Sequence, residues 1–324
     1  MNQLNKTLTI ALIIQLAIGV LVFWSQRAVT ASVSGPLFTN FKAGEVTTLT
    51  LKDGDKNEVV LAKKDDAWFL SNAGDYPADG TKILPILEKV EKIKTNRLVT
   101  KTDASHKRLQ VSDSDFNRLL EFKLKDGSSH KLYLGSSGGA GATYIRTDAP
   151  EVYMTSDLSA FEVNAQPSNW IDTLYFSVPQ TATTAVTLQN PNGTFEFKQT
   201  SSISWTMKGL TESEPFNNGA FTGLLNQIIS LNMLKPLGKE KQSAYGLDKP
   251  QATIKIQADK EYAIDIGAKD PKDETYVVKA SNSPYYVRIA KFAGDNFTQK
   301  SRTDFIQQPP PQQEGEGQPP SPIQ

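Results

Sequence analysis

A stretch near the middle of the chain comes back further along it. Leu134-Gly135 lines up with Ile266-Gly267, and Thr143-Tyr144-Ile145 with Thr275-Tyr276-Val277, with the same Gly-to-Tyr spacing in both. Upstream, Pro77, Asp79, Ile83, Leu87, Val90 and Ile93 meet Pro215, Asn217, Phe221, Leu225, Ile228 and Leu231 in the same order and spacing. Leu49, Leu51 and Trp68 likewise meet Val186, Leu188 and Trp205. The offset drifts only slightly along the chain, which is what loop-length changes between two copies of one unit produce. The sequence therefore reads as a tandem duplication.

Each copy has the same order of signals. In the first, TTLTL (47–51), EVVLA (58–62) and AWFLS (67–71) alternate like strands, separated by hairpin-turn residues. A helix starts at Asp79-Gly80-Thr81 and runs to about Lys94, with Ile83, Leu87, Val90 and Ile93 on one face. Thr81 as its cap would put Pro85 near the first turn, where a missing N–H costs little. RLLEFKL (118–124), HKLYLG (130–135), TYIR (143–146) and EVYM (151–154) follow; Ser156–Ala165 reads as a short helix and Pro167–Val178 closes the unit. The second copy repeats this from AVTL (185–188), through an Asn217-capped helix, to YYVRI (285–289). The expected fold class is α+β: two tandem repeats, 44–178 and 183–305, each of antiparallel β-hairpins packed with a helix. Trp68 and Trp205 are expected in the cores.

Flanking segments differ in composition. Leu8–Trp24 is a run without a charge, ahead of Arg27. As a helix it would span roughly 26 Å, the short end of a bilayer crossing. Two readings compete: a retained membrane anchor (1–27), or a signal peptide cleaved near Val29-Thr30-Ala31; the length of the apolar run favours the anchor. Residues 28–43 form a spacer. The Pro/Gln-rich tail, 306–324, lacks the apolar residues for a core and is expected to be disordered.

Lys plus Arg balances Asp plus Glu at 35 each, without the basic footprint of a nucleic-acid binder. The chain has no cysteine, which removes thiolate chemistry, and only two histidines, His106 and His130. The glycine run 135–141 lacks the Lys-Ser/Thr ending of a phosphate loop and no helix follows it. Its partner loop, 267–275, keeps only the first glycine, so the shared Gly135/Gly267 is assigned a backbone role. Asp113, Asp115 and Asn117 have calcium-loop spacing but Arg118 and Leu124 at the wrong places. His106, beside Asp103 and Ser105, lacks a nucleophile elbow and reads as a solvated loop histidine. No residue is given a catalytic, cofactor-binding or metal-ligating role, and no cofactor is expected. Tyr133, Tyr144, Tyr153, Tyr262, Tyr276, Tyr285 and Tyr286 fall on strands, either as half-buried structural residues or as a stacking platform for sugars.

SHKRLQVSDSD (105–115), the Leu-Gly, Thr-Tyr-Ile-Arg and Val-Tyr-Met series (134–154), Pro-Ser-Asn-Trp (167–170) and, in the second copy, AYGLDKP (244–250) resemble the bacterial domain of unknown function 4340 family. The resemblance covers nearly everything from Gly44 to Phe305. It departs at the end of the second copy, which lacks a Trp matching Trp170. It implies a single-pass protein of the bacterial inner membrane, with its body in the periplasm or otherwise outside the cytoplasm. Partners in an ABC-transporter or envelope assembly follow from it as well. The expectation is a non-enzymatic scaffold or accessory subunit. Two alternatives stay open: an envelope glycan or polymer binding module, and a carboxylate-based envelope hydrolase.

Overall fold

The computed structural model describes residues 12–18, 34–201 and 204–307. Residues 12–18 are helical, with Leu12, Ile13, Ile14, Leu16 and Ile18 exposed. Most of the expected anchor and the tail from 308 lie outside the described residues. Among those described, no helix is long and apolar enough to cross a membrane. The chain divides into two compact units, Met1–Ile171 and Asp172–Gln324. Both are α+β, built of antiparallel sheets with few helices.

In the first unit, β1 (Val46–Asp53), β2 (Glu58–Lys64), β3 (Ala67–Leu70) and β4 (Tyr76–Pro77) form a meander. Helix α1 (Gly80–Lys92) then carries the chain to β5 (Leu98–Thr100) and the short helix α2 (Asp103–Arg108). β6 (Arg118–Leu124), β7 (Ser129–Gly139), β8 (Ala142–Arg146) and β9 (Val152–Thr155) complete a nine-stranded sheet, β4-β3-β2-β1-β6-β7-β8-β9-β5. β1 sits between β2 and β6, where Leu49 faces Leu61 and Phe122. The alternation in these strands puts Leu49, Leu51, Val59, Leu61, Leu120, Phe122, Leu132 and Leu134 into one core with Ile83, Leu87 and Val90 of α1. Each fully buried side chain of this size stabilises by roughly 1.5–3 kcal/mol.

In the second unit, β10 (Leu174–Ser177) pairs with β14 (Ser230–Asn232). The main sheet holds β11 (Ala185–Asn190), β12 (Gly193–Gln199), β13 (Trp205–Met207), β15 (Lys235–Gly238), β16 (Ala252–Gln257), β17 (Glu261–Lys269), β18 (Tyr276–Ala280) and β19 (Tyr286–Ile289). Its order is β13-β12-β11-β16-β17-β18-β19-β15. Apart from the extra β4, the order in the first unit runs through the same sequence of roles. Helix α3 (Asn218–Ile229) buries Phe221, Leu224, Leu225, Ile228 and Ile229, and Phe221 stacks on Phe197 at 4.1 Å. Helix α4 (Lys291–Thr298) follows β19. Trp68 and Trp205 are both buried, as expected.

Four expectations need correction. The first unit does not extend to Val178: Tyr175 donates its hydroxyl to the Tyr285 carbonyl at 2.7 Å and accepts from Ala280 N–H at 2.9 Å, so 172–178 is packed into the second unit. Residues 156–165 form turns, not a helix, because Asp157 and Glu162 capture nearby hydroxyls and N–H groups. The cap of α1 is Asp79, whose carboxylate accepts from Thr81 N–H, so Pro85 lies deeper in the helix than Thr81 capping would put it. The glycines 135–139 belong to β7, which is interrupted by bulges, rather than to a loop between strands.

Candidate functional site

The second face of the first sheet is crossed by a strap, residues 103–117, that carries α2 and a single left-handed residue, Gln110 at φ 56°. It passes directly over Gly135. A Cβ there would lie 2.0 Å from the Leu109 carbonyl oxygen, so only glycine admits the strap. Leu109 and Val111 pack beneath it on Leu119, Tyr133 and Val152 in a small second core. In the second unit a shorter strap does the same. Gly246 is its left-handed residue (φ 67°), and a Cβ on Gly267 would lie 2.1 Å from the Tyr245 carbonyl oxygen. The backbone role assigned to the shared glycine is the one the geometry displays.

What holds the first strap is polar. Arg146 of β8 is buried, and its Nε donates to the Val111 carbonyl at 2.6 Å. Its Nη2 meets the Asp113 carboxylate, and its guanidinium lies 4.4 Å above the Tyr133 ring. The hydrogen bond from Arg146 and a second from Tyr133 hold the Asp113 carboxyl below its ordinary range. Burial, reinforced by Asp113, pushes the Tyr133 phenol up to about 12. His106 is also buried, with Nε2 2.8 Å from the Pro150 carbonyl and Nδ1 3.6 Å from Asp103. It is thus a packed helix residue of α2 and not the solvated loop histidine expected from sequence. Of its i−3 and i+3 neighbours only Leu109 is apolar and Asp103 is fully exposed, too short a pattern to reveal this.

Arg146, Asp113, His106 and Pro150 line an open cavity of about 390 Å³, together with Asp103, Lys107, Ser112, Ser114 and Asp148 at its rim. It is the site where the sequence residues Asp103, His106 and Asp113 come together. Asp115 closes a turn with Ser112 instead. His130 lies elsewhere, 5.0 Å from the Phe38 ring. Arg146 is the member that sequence reasoning missed; an Arg at an inward strand position was its only signal. The cavity has two buried polar side chains, and both are engaged by main-chain carbonyls. Among the described residues no three His, Asp or Glu side chains are grouped to hold a metal ion.

The tyrosines do not assemble into an exposed row. Tyr133 and Tyr276 are buried, and the Tyr276 hydroxyl donates to Asp295 at 2.6 Å. Lys291 and Tyr276 together bring the Asp295 carboxyl to about 2. Tyr144, Tyr153, Tyr262 and Tyr286 are half-buried on four strands, and Tyr285, also half-buried, lies just before β19. Asp53 commits both carboxylate oxygens to Asp55 N–H, Asn57 N–H and the Asn57 amide, closing the β1–β2 turn.

The model of the family described as domain of unknown function (DUF4340) matches residues 68–250, more than half of the chain. The chain belongs to that family. The matched region of this DUF4340 protein opens at the core residue Trp68, includes the whole first strap, and ends at Pro250, just beyond the second strap. No curated protein and no solved structure matches the chain.

Proposed function

We propose that this DUF4340 protein is a membrane-anchored, non-enzymatic scaffold or accessory subunit of a transporter or envelope assembly, its folded body lying outside the cytoplasm. The observation that carries the non-enzymatic part is the use made of polar groups in the cavity beside the first strap. Arg146 and His106, the two buried polar side chains of the cavity, are engaged by the carbonyls of Val111 and Pro150, so they fasten a strap rather than face a substrate. The apolar run Leu8–Trp24 supports the anchor. Matching strand orders support an origin by duplication, with two similar bodies offering extended surface to a partner. Tethering raises the effective concentration of the body near a membrane partner, so modest contacts suffice.

Complementation of a deletion strain tests this. Asp103→Asn and Asp148→Asn, on the cavity rim, should leave function intact at normal protein level. Removal of Met1–Arg27 should abolish it while the body still folds. Loss of function from either rim variant, with normal abundance, would replace the scaffold with an enzyme.

A further inference from the structure

The described body of the first unit begins against the end of α1. Leu37 N–H donates to the Ile93 carbonyl at 2.8 Å, Thr95 N–H to that of Gly35 at 2.9 Å, and Pro36 bridges Lys94. Only positions 25–33 separate Trp24, the last of the apolar run, from Ser34. Even a fully extended chain of that length reaches about 36 Å at most. The C-terminal end of α1 is therefore the part of the body most closely leashed to that run.

Two other features meet at this end. Lys92, Lys94 and Arg97 are exposed, and among the described residues none of them forms an ion pair. The nearby acids are already engaged: Glu91 by Lys42 and the Ala43 N–H, Glu162 by Lys89. Lys89 lies about one helical turn before Lys92, and through Glu162 it grips the turn 159–162. That turn is braced again by Ser159, whose N–H and hydroxyl both donate to Glu162 at 3.0 Å, while Leu158 and Val163 on either side are in the core. At its tip Phe161 is 93% exposed, the most exposed large apolar side chain described. Single exposed apolar residues are common. A fixed one, on a turn that Lys89 ties to α1 one helical turn ahead of Lys92 and close to where the described body begins, is a different matter.

We propose that Phe161, Lys92, Lys94 and Arg97 form a corner that rests on an anionic membrane surface, with the Phe161 ring in the interfacial layer. The proposal rests on the anchor reading above. Aromatic rings settle at the headgroup level, and cations within a Debye length of anionic lipid are drawn to it. The corner would fix how the first unit stands on the bilayer.

Because the chain has no cysteine, single labels are clean. Full-length Phe161→Cys, Ile14→Cys and Asp66→Cys, each carrying an environment-sensitive fluorophore, would be reconstituted into phosphatidylcholine vesicles with and without phosphatidylglycerol. All three positions are exposed, and an unchanged circular dichroism spectrum confirms that each variant is folded, position 66 being left-handed at φ 64°. The expected result at 161 is a blue shift, loss of iodide quenching, and quenching by a lipid-borne group at headgroup depth. This should be stronger with phosphatidylglycerol and weakened by Lys92→Gln/Lys94→Gln/Arg97→Gln. The label at 66 should stay aqueous, and the label at 14 should be reached by a quencher at the bilayer centre. Position 161 open to iodide while 14 is embedded would overturn the corner and leave the anchor standing. Position 161 shielded from iodide but beyond reach of lipid quenchers would overturn it in favour of a protein partner. Position 14 in water would overturn the anchor reading, and the corner with it.

Discussion

The two units solve the same packing problem with different chemistry. Each lays a strap across the second face of its sheet, over a glycine that permits backbone contact. In the first, a buried arginine reaches up from β8 and ties the strap through Val111 and Asp113. In the second, the position that lines up with Arg146 is Val278, and the strap is held by a buried Tyr245 against Tyr286 at 5.3 Å, with Lys241 and Asp248 pairing at the surface. The closing contact differs as well. Trp170 offers its carbonyl to Asp79 N–H at 2.7 Å, and Phe305 offers its own to Asn217 N–H at 2.9 Å. Geometry persists where side-chain identity does not.

The strongest test of that equivalence is to remove the two closing aromatics. Trp170→Ala and Phe305→Ala should each cost about 3–5 kcal/mol, the range for a buried aromatic, each confined to its own unit. Hydrogen exchange resolved by peptide reads this directly, and a mild effect of Phe305→Ala would break the parallel. Next in size, Gly135→Ala and Gly267→Ala should each lose about 3 kcal/mol or more in urea unfolding, because the colliding atom is backbone and cannot swing away. If only Gly135→Ala is costly, the second strap is less firmly seated than the first.

One carboxylate in each unit should then respond to acid. Asp113→Ala leaves a buried guanidinium short of its partner, and should cost the first unit about 1–2 kcal/mol even with the carboxylate well solvated. The Asp113 carboxyl is depressed in the folded state, so its contribution is present above its ordinary value of 3.8 and lost as pH falls below it. Asp295 in the second unit, held at about 2, behaves likewise, its contribution fading as pH falls from 3.8 through 2. Exchange rates between pH 5 and 2 should show strap protection in the first unit weakening in wild type and not in Asp113→Ala. The smallest expected effect is at the helix caps. Asp79→Ala and Asn217→Ala remove matching side-chain acceptors for Thr81 and Ala220 N–H groups, and each should cost about 1 kcal/mol.

Much of this was legible in the sequence because burial imposes a period. The strands around β1 and β11, and the apolar faces of α1 and α3, come straight from strand alternation and helical spacing. The short edges β5 and β15 were not readable, since strands so brief carry too little pattern. Helix α2 was missed for the same reason, and with it the burial of His106. Phe305 carries no such signal, since the position does not need a second tryptophan but only a carbonyl and an apolar ring of roughly the right size. The cavity was legible only in part. Asp103, His106 and Asp113 share a segment, but Arg146 reaches them from a strand far beyond Asp113 in the chain, and only the register of β7 and β8 brings it there.

The placement of β5 and β15 carries a consequence for how the chain can be made. β5 is synthesised straight after α1, yet its only strand neighbour is β9, where Thr100 meets Val152. β15 likewise waits for β19. The sheet centre is just as deferred, because β1 must find β6 across the whole of β2–α2. Each unit is therefore a closure of distant ends, slow to form and with bare strand edges until its last strand emerges. A chain arrested between Thr100 and Val152 would present those edges to any protease or sticky neighbour, and quality control would meet it as an unfinished sheet rather than a shorter protein.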